Sequence, residues 1–237
     1  MTDVRFYDDV FVDLIDTNAT DLQVAKAAWV STKGEDAKHV TEEARVPGLI
    51  NFLMRDRHGS PFEHNTFTFL IKCPIFVVRE FHRHRAGWSY NEESGRYSKL
   101  KPEFYIPRRD RNLTQTGKPG AYEFHPGSNF QYDTVVSALY ATCKTAWDSY
   151  EHMLDAGIAK EVARMVLPLN IYTSFYATCN SRSLMHFLGL RVKSELSLFP
   201  SNPQYEINMV ADKMEAHLQD TMPFTHEAFI ANRRVAP

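Results

Sequence analysis

The sequence predicts an α+β fold in which helices predominate and a few strands form a sheet. Over residues 132–154, apolar side chains recur at three- and four-residue steps, which is the period of an amphipathic helix. Phe67, Phe69 and Ile71 instead occupy alternate positions, which is the period of a strand. A chain of 237 residues with 43% hydrophobic content can bury a sizeable core, and we expect a single domain over residues 1–237.

Taken in order, the remaining patterns predict a series of short elements. They are an extended segment at 4–15, helices from Asp21 and at 47–57, a strand at 65–72, a helix from Pro74 to Arg85, a surface loop at 107–128, the long helix, and helices at 159–166, 181–190 and 204–220. Asp21 is a suitable helix cap, Pro74 suits a first helical turn, and Gly157 suits a helix end. The loop at 107–128 is rich in Pro, Gly, Arg and Asn, and nothing there indicates a second core.

Composition excludes several classes of protein. A net charge of −2 and a pI near 6.6 give no global support for non-specific nucleic-acid binding. The three cysteines include no CxxC pair, which favours reduced thiols in a cytoplasmic protein. The acidic start of the chain does not resemble a signal peptide, and no apolar run approaches the length of a membrane span.

The most informative local feature is a basic cluster followed by a polar segment. The cluster consists of His82, Arg83, His84 and Arg85 at the predicted end of a helix, where cations also suit the helix dipole in a solvated last turn. The segment after it contains Ser94-Gly95-Arg96, which offers a hydroxyl, an approachable backbone N–H and a guanidinium. Those groups suit a phosphate monoester, although an ordinary turn with an exposed arginine has the same residues.

Four blocks of the sequence together resemble the flavin-dependent thymidylate synthases. The first is RHR, a short spacer and Ser within residues 83–98; the others are HGSPFEH at 58–64, ARMVLPLN at 163–170, and NSRSL, HFL and a final Arg within 180–191. The blocks occur in the family's order, and we therefore identify the chain by resemblance as a member. The resemblance implies that family's fold, with a mixed or antiparallel sheet flanked by several helices.

The resemblance also implies an activity and a set of partners. Members convert dUMP to dTMP with FAD, NADPH and methylenetetrahydrofolate, and they are homotetramers whose active sites form between subunits. Neither nucleic acid, nor a membrane, nor a metal is implied as a partner. A second hypothesis, a non-catalytic nucleotide or nucleic-acid binding module, explains the arginines but not the other three blocks. A histidine-rich metal protein is a weak third, because His58, His64, His82 and His84 lack a recognised ligand spacing.

Site residues carry over from the family position by position. Those implied to bind dUMP are Glu80, Phe81, His82, Arg83, Glu92, Glu93, Ser94, Gly95, Arg96, Arg164 and Arg191. Those implied to bind FAD are Ser60, Arg83, His84, Arg85, Glu92, Asn180, Ser181, Arg182 and His186. His58 is implied to lie beside the flavin and the folate, with Glu63 nearby.

Arg191 is implied to face the uracil, and it is the one residue that we expect to be catalytic, because a guanidinium can stabilise the charge that develops when N3 ionises. The cysteines Cys73, Cys143 and Cys179 are expected to be core thiols. Ser94 is expected to bind phosphate rather than act as a nucleophile, since no neighbouring general base is apparent.

The sequence departs from the family pattern at four places. The spacer AGWSYNEE between Arg85 and Ser94 has one residue more than usual, and we expect the extra residue within 86–88, where a Gly would let the helix end unwind differently. Glu80 replaces a common Gln, and we expect Arg79 or Arg83 as its partner. His186 and Glu195 replace a common Asn and a His.

Overall fold

A computed structural model describes residues 3–41 and 43–237 of the chain. The chain forms two compact units. Unit 1 comprises Met1–Asp9, Cys73–Arg79 and Glu92–Ser174, and unit 2 comprises Val10–Lys72, Glu80–Asn91 and Phe175–Pro237. The expectation of one domain stays a prediction, and each unit is described below by itself.

Unit 1 is built around one long helix and two small sheets. Its strands are β1 (Arg5–Tyr7), β5 (Glu103–Tyr105), β6 (Asn112–Lys118) and β7 (Ala121–Pro126), and its helices are α4 (Asn129–Asp155) and α5 (Lys160–Ala163). Strands β1 and β5 pair in parallel, whereas β6 and β7 form an antiparallel hairpin. A capping box begins α4. The Ser128 side chain accepts from Gln131 N, and the Gln131 side chain accepts from Ser128 N.

The core of unit 1 lies against the inner face of α4. Cys143, Trp147 and Tyr150 from this helix are fully buried with Phe104 and Ile171. Cys143, Trp147 and Tyr150 belong to the three- and four-residue repeat from which the helix was predicted. The amphipathic period therefore identified the buried face correctly.

Unit 2 contains most of a four-stranded sheet and most of the helices. The sheet has the order β2-β3-β8-β4, from β2 (Phe11–Thr17), β3 (Phe67–Pro74), β4 (Trp88–Glu92) and β8 (Tyr172–Cys179). The helices are α1 (Asp21–Lys33), α2 (Val46–Arg55), α6 (Ser181–Arg191), α7 (Tyr205–Thr221) and α8 (Pro223–Ala231), and the short α3 (Ile75–Phe81) has residues in both units. Strands β2 and β3 are antiparallel, and Phe67, Phe69 and Ile71 on β3 are fully buried.

The α+β fold class is confirmed, and so are the predicted helices that became α1, α2, α4, α6 and α7. The predicted extended segment at 4–15 is two strands, β1 and β2. Strands β4, β5 and β8 and helix α8 were not predicted. Among the described residues, no helix combines the length and the apolar character that crossing a membrane requires.

The prediction of a loop at 107–128 was wrong, because β6 and β7 form a hairpin there. Gly117 and Gly120 take φ of +97° and +84° on either side of the turn, a conformation that glycine adopts readily. Most side chains of the hairpin are exposed. Only Tyr122 and Phe124 alternate here and both are exposed, so the alternation is too short to indicate a strand. Cross-strand backbone pairing supplies the order instead.

The predicted helix that follows Pro74 begins where expected, at Ile75, but it ends four residues before the predicted Arg85. Pro74 is the last residue of β3, and α3 ends at Phe81. His82, Arg83, His84 and Arg85 therefore follow the helix instead of forming its last turn. The reason is local, because Arg83 N and His84 N donate to Glu80 O and Phe81 O in a tight turn.

The cap of α1 differs from the prediction by one residue. Thr20 is the N-cap, and its hydroxyl accepts from Gln23 N at 3.0 Å. Asp21 instead caps another helix, because its carboxylate accepts from Phe224 N and Thr225 N at the start of α8. One acidic side chain thus connects the first helix of the chain to the last.

Candidate active site

Unit 1 has a pocket of about 460 Å³ beside the Ser94-Gly95-Arg96 turn. Its polar lining includes Glu92, Glu93, Ser94, Gly95, Glu161 and Arg164, and its apolar lining includes Ile75, Leu100, Met165, Leu167 and Ile171. The lining thus brings together the predicted residues Ser94, Gly95 and Arg164, whereas Arg96 is not part of it. Apolar walls with a few convergent polar groups are typical of small-molecule sites.

Local hydrogen bonds explain the shape of the turn. The Ser94 hydroxyl accepts from Arg96 N at 3.3 Å, and Ser94 O accepts from Tyr97 N and Ser98 N at 3.1 Å. Gly95 is buried, and a Cβ there would lie 3.3 Å from Cδ of Arg164. The absence of a side chain at residue 95 therefore lets the stem of Arg164 approach the turn.

The Arg96 guanidinium has a carboxylate partner in this pocket. Its Nε donates to Glu161 Oε2 at 3.0 Å, and both side chains are 54% exposed. Sequence reasoning missed Glu161, although it lies three residues before Arg164 and so one helical turn away on the same side. On the same wall, Glu92 Oε1 accepts from the Thr173 hydroxyl at 2.8 Å.

Unit 2 holds the other predicted arginine, Arg191, at the end of α6. Its Nη1 lies 2.8 Å from Glu80 Oε2, and its Nε donates to His84 Nε2 at 3.1 Å. The Glu80 carboxylate is thus paired with Arg191, a partner that the sequence had not suggested. Glu80 and Arg191 are more than a hundred residues apart, so only the folded chain reveals the pair.

His84 is a buried neutral imidazole. Burial, and to a smaller extent the neighbouring Arg191 and His186, together lower its pKa from 6.5 to about 4. A neutral ring can accept the hydrogen bond from Arg191, which imidazolium cannot. The His84 ring also packs edge-on against Phe187, with centroids 4.8 Å apart.

Tyr90 holds the turn that carries the basic cluster. Its hydroxyl donates to Phe81 O at 3.1 Å and to His84 O at 3.0 Å. The Phe81 carbonyl also accepts from His84 N, so Tyr90 supplies a second donor at the end of α3. His82, Arg83 and Arg85 are exposed around this turn, while His84 alone points inward. The side chains of the cluster therefore point in more than one direction.

The beginning of α6 forms a second pocket, of about 440 Å³, within unit 2. Its lining includes the predicted FAD contacts Asn180, Arg182 and His186 together with Glu63. Gly87, with φ of +70°, also lines it, and a Cβ there would lie 2.2 Å from the Ser183 hydroxyl oxygen. Gly87 lies six residues beyond the end of α3 at Phe81, so the expectation that a Gly in 86–88 lets the helix end unwind differently stays a prediction.

Two of the residues at the start of α6 also have internal roles. Asn180 is the N-cap, and its Oδ1 accepts from Ser183 N at 2.8 Å. Ser181 is fully buried, and its hydroxyl donates to Phe62 O at 2.8 Å and accepts from Asn65 at 3.1 Å. Their contacts with FAD stay predictions, and the Ser181 hydroxyl already has partners inside the protein.

The other predicted flavin and folate residues lie on the surface of unit 2. Ser60, His58 and Glu63 are exposed. The His58 ring stacks on Phe52 with centroids 5.5 Å apart, and Glu63 is paired with Arg182. No group of three or more His, Cys, Asp or Glu side chains among the described residues is arranged to hold a metal ion.

The three cysteines are buried free thiols, as predicted. Burial raises the pKa of Cys179 and of Cys73 well above 9.0, and Glu92 raises that of Cys73 further. Burial also raises the pKa of Cys143, whose sulfur contacts Asn170. Because the thiolate is the nucleophile, none of these sulfurs suits covalent attack near neutral pH.

Comparison with known proteins gives concordant matches. A family model described as "Thymidylate synthase complementing protein" matches residues 13–224. A flavin-dependent thymidylate synthase of Streptomyces coelicolor is 55% identical over 236 residues, which cover 99% of this chain and 96% of that protein. The UMP/dUMP methylase PolB from Streptomyces cacaoi, solved with 5-Br dUMP, has a TM-score of 0.93 and 49% identity, covering 99% of this chain and all of that one. Its structure with 5-Br UMP gives a TM-score of 0.91 at 47% identity and covers 99% of each chain.

Proposed function

The chain belongs to the flavin-dependent thymidylate synthases, and from that premise we propose that it makes dTMP by reductive methylation of dUMP. Methylenetetrahydrofolate is the carbon donor, FAD the hydride source and NADPH the reductant of the flavin. The protein is a cytoplasmic homotetramer whose active sites are shared between subunits. The names of the relatives support the synthase activity and the flavin, and the resemblance of the sequence blocks supports the finer statements.

The unit 1 pocket is the single observation that carries the nucleotide part of the proposal. Ser94 and Gly95 line it with a hydroxyl and a backbone N–H, and Arg164 lines it with a guanidinium. Arg96 of the same turn adds a second guanidinium, which is paired with Glu161 of the lining. Charge-assisted hydrogen bonds from arginines and backbone amides are the usual means of holding a phosphate monoester. The nucleotide phosphate is bound here, and the apolar wall beside it suits the remainder of the nucleotide.

The flavin would be held at the start of α6. Arg182, His186 and Asn180 line a pocket whose depth depends on Gly87, since a Cβ at that residue would meet Ser183 and Asn180. Helix N-termini favour anions, which fits the diphosphate of FAD. When bound, FAD supplies the hydride chemistry, and the protein supplies position and charge.

Arg191 is the residue assigned to transition-state stabilisation. Glu80 and His84 contact two nitrogens of its guanidinium, which fixes its plane. His84 is neutral near pH 7 because its pKa is about 4, so it orients Arg191 without adding positive charge. A fixed guanidinium stabilises the negative charge that develops when uracil N3 ionises, and C5 becomes more nucleophilic as a result.

The test is an assay of purified protein with dUMP, methylenetetrahydrofolate, NADPH and FAD. We expect the protein to take up FAD and turn yellow, and dTMP to form in proportion to NADPH oxidised. Omission of dUMP or of the folate should abolish product. A protein that takes up no FAD, or that forms no dTMP when loaded, contradicts the proposal. UMP is assayed in parallel, because PolB is described as a UMP/dUMP methylase.

A variant separates nucleotide binding from flavin chemistry. Arg96→Ala removes one phosphate donor, and we expect dUMP affinity to fall roughly tenfold or more, while FAD binding and NADPH oxidation persist. Arg109→Ala is the matched control, since Arg109 is an equally exposed unit 1 arginine that contacts Asp133 and Tyr132. Isothermal titration with dUMP makes the comparison. Unchanged affinity in Arg96→Ala would refute the phosphate role.

A further inference from the structure

Residues 235–237, called here the strap, close one side of the unit 2 pocket. Ala236 and Pro237 line that pocket together with Asn180, Arg182 and His186. Pro237 is buried, and its carbonyl oxygen accepts from Arg182 Nε at 2.6 Å. A predicted flavin contact is therefore held by the main chain of the strap.

Arg57 anchors the strap through two hydrogen bonds from its guanidinium. Its Nη1 donates to Val235 O at 2.8 Å and to Ala236 O at 3.1 Å. The Arg57 backbone has φ of +63°, a conformation that is uncommon for a residue with a side chain. It lies directly before His58, another predicted site residue.

Arg234, which directly precedes the strap, is also held in place by side-chain contacts. Arg234 is buried, and its two terminal nitrogens each lie 2.7 Å from a Glu215 oxygen. Its carbonyl oxygen would lie 2.8 Å from a Cβ at Gly189, so the chain passes closely over α6. The strap is thus tied at Arg234 on one side and at Arg57 along its length.

The Arg182 guanidinium is constrained at two nitrogens. Nε is bound by Pro237 O, and Nη1 is paired with Glu63. A Cβ on Gly59 would lie 2.6 Å from Arg182 Cζ and 2.9 Å from Pro237 O. The guanidinium, the strap and the Gly59 backbone are therefore packed together, and Arg182 has little freedom to leave the pocket wall.

We propose that Arg57 is a positioning residue for the flavin, acting through the strap on Arg182. Arg57 fixes residues 235–237, Pro237 O fixes the Arg182 guanidinium, and the fixed guanidinium contacts the anionic cofactor. A long flexible side chain that is already ordered loses less conformational entropy on binding, which increases affinity. The inference rests on the proposed function for the identity of the ligand, but the link from Arg57 to the strap can be measured without it.

The test compares three variants of the whole protein, prepared without flavin. Arg57→Asn removes the guanidinium, and Asn tolerates the left-handed backbone. Arg57→Lys keeps a cationic donor within reach of the strap carbonyls. Arg55→Asn is the control, because Arg55 is an exposed neighbour whose partner is Asp56. Each variant is titrated with FAD, and hydrogen exchange is followed in the peptide covering residues 228–237.

We expect Arg57→Asn to weaken FAD binding roughly five- to tenfold, the loss expected of one or two hydrogen bonds, and to speed exchange at Val235 and Ala236. Arg57→Lys should recover most of the affinity, and Arg55→Asn should match wild type. Affinity for dUMP should not change in any variant, since its phosphate contacts are elsewhere in the chain.

Three results would overturn the inference. Faster exchange in the strap with unchanged FAD affinity would mean that the strap does not position Arg182. Tighter FAD binding in Arg57→Asn would mean that the strap competes with the flavin. Unchanged exchange would mean that Arg57 does not anchor the strap. Failure of the proposed function is distinguishable, because wild-type protein itself would then take up no FAD or form no dTMP.

Discussion

The Arg96 guanidinium is half-exposed and paired with Glu161, and this ion pair occupies the place proposed for a phosphate. A carboxylate and a phosphate oxygen are both hydrogen-bond acceptors for a guanidinium. An exposed ion pair is worth no more than about 1 kcal/mol. Under the proposed function, Glu161 is therefore a weak internal competitor, and we expect the nucleotide to displace it at modest cost.

Replacing Glu161 by Gln should accordingly tighten dUMP binding by roughly two- to fivefold, because a neutral amide competes less strongly than a carboxylate for Arg96. Titration calorimetry measures the dissociation constant. Affinity for deoxyuridine, which has no phosphate, should not change. Glu151→Gln is a matched control, since it alters a similar ion pair, with Lys99, in the same unit. Weaker dUMP binding in Glu161→Gln would show that Glu161 is itself a favourable nucleotide contact.

Helices α1 and α8 depend on each other through Asp21. Its Oδ1 accepts from Thr225 N at 2.9 Å and from the Thr225 hydroxyl at 2.6 Å, and its Oδ2 accepts from Phe224 N at 3.0 Å. Asp21 and Thr225 are both buried. Donors at the start of α8 that have no partner within the helix are thus satisfied by a side chain two hundred residues away.

Asp21→Ala leaves those buried donors unpaired, and we expect a loss of about 2–3 kcal/mol in the free energy of unfolding. Thr20→Ala, which removes only the local cap of α1, should cost about 1 kcal/mol. Urea denaturation followed by circular dichroism compares the two. Equal losses would mean that Asp21 contributes nothing beyond its own helix.

Over the whole molecule, stability at mildly acidic pH depends on His84. Its folded-state pKa of about 4 lies below the ordinary 6.5, so between these values the unfolded chain binds a proton that the folded chain does not. Stability therefore falls as pH drops from about 6.5 towards 4. Glu215 affects stability at lower pH, because His226 and Arg234 lower its pKa from 4.5 to about 2 despite burial. Its contribution to the free energy of unfolding is lost as the pH falls below about 4.5.

We expect wild-type protein to lose about 1–2 kcal/mol of unfolding free energy between pH 7.5 and pH 5 through His84. His84→Gln keeps an acceptor for Arg191 and removes the titrating group, so its loss over this interval should be smaller by that amount. Urea midpoints at several pH values for the two flavin-free proteins provide the measurement. Parallel pH profiles would assign the acid sensitivity to other groups.

The sequence by itself determined the fold class, the family and the elements that bury one face. The helix repeat on α4 and the alternation on β3 are direct consequences of burial, because an apolar stripe must follow the period of its element. The positive φ of Gly87 is a conformation that glycine permits but that its presence does not specify. The exposed hairpin of β6 and β7 was not predicted, because only Tyr122 and Phe124 alternate there and neither is buried.

Only the tertiary structure decided which groups meet. The pairs Glu80–Arg191, Arg57–Val235 and Asp21–Thr225 join residues more than a hundred positions apart, and no local pattern encodes such a distance. The turn after α3 is likewise held by Tyr90, whose hydroxyl donates to Phe81 O beside the hydrogen bond from His84 N. Residue identities therefore specified what the chain can bind, and long-range packing specified how Arg96, Arg182 and Arg191 are held, because a side chain's orientation depends on partners that only folding brings near.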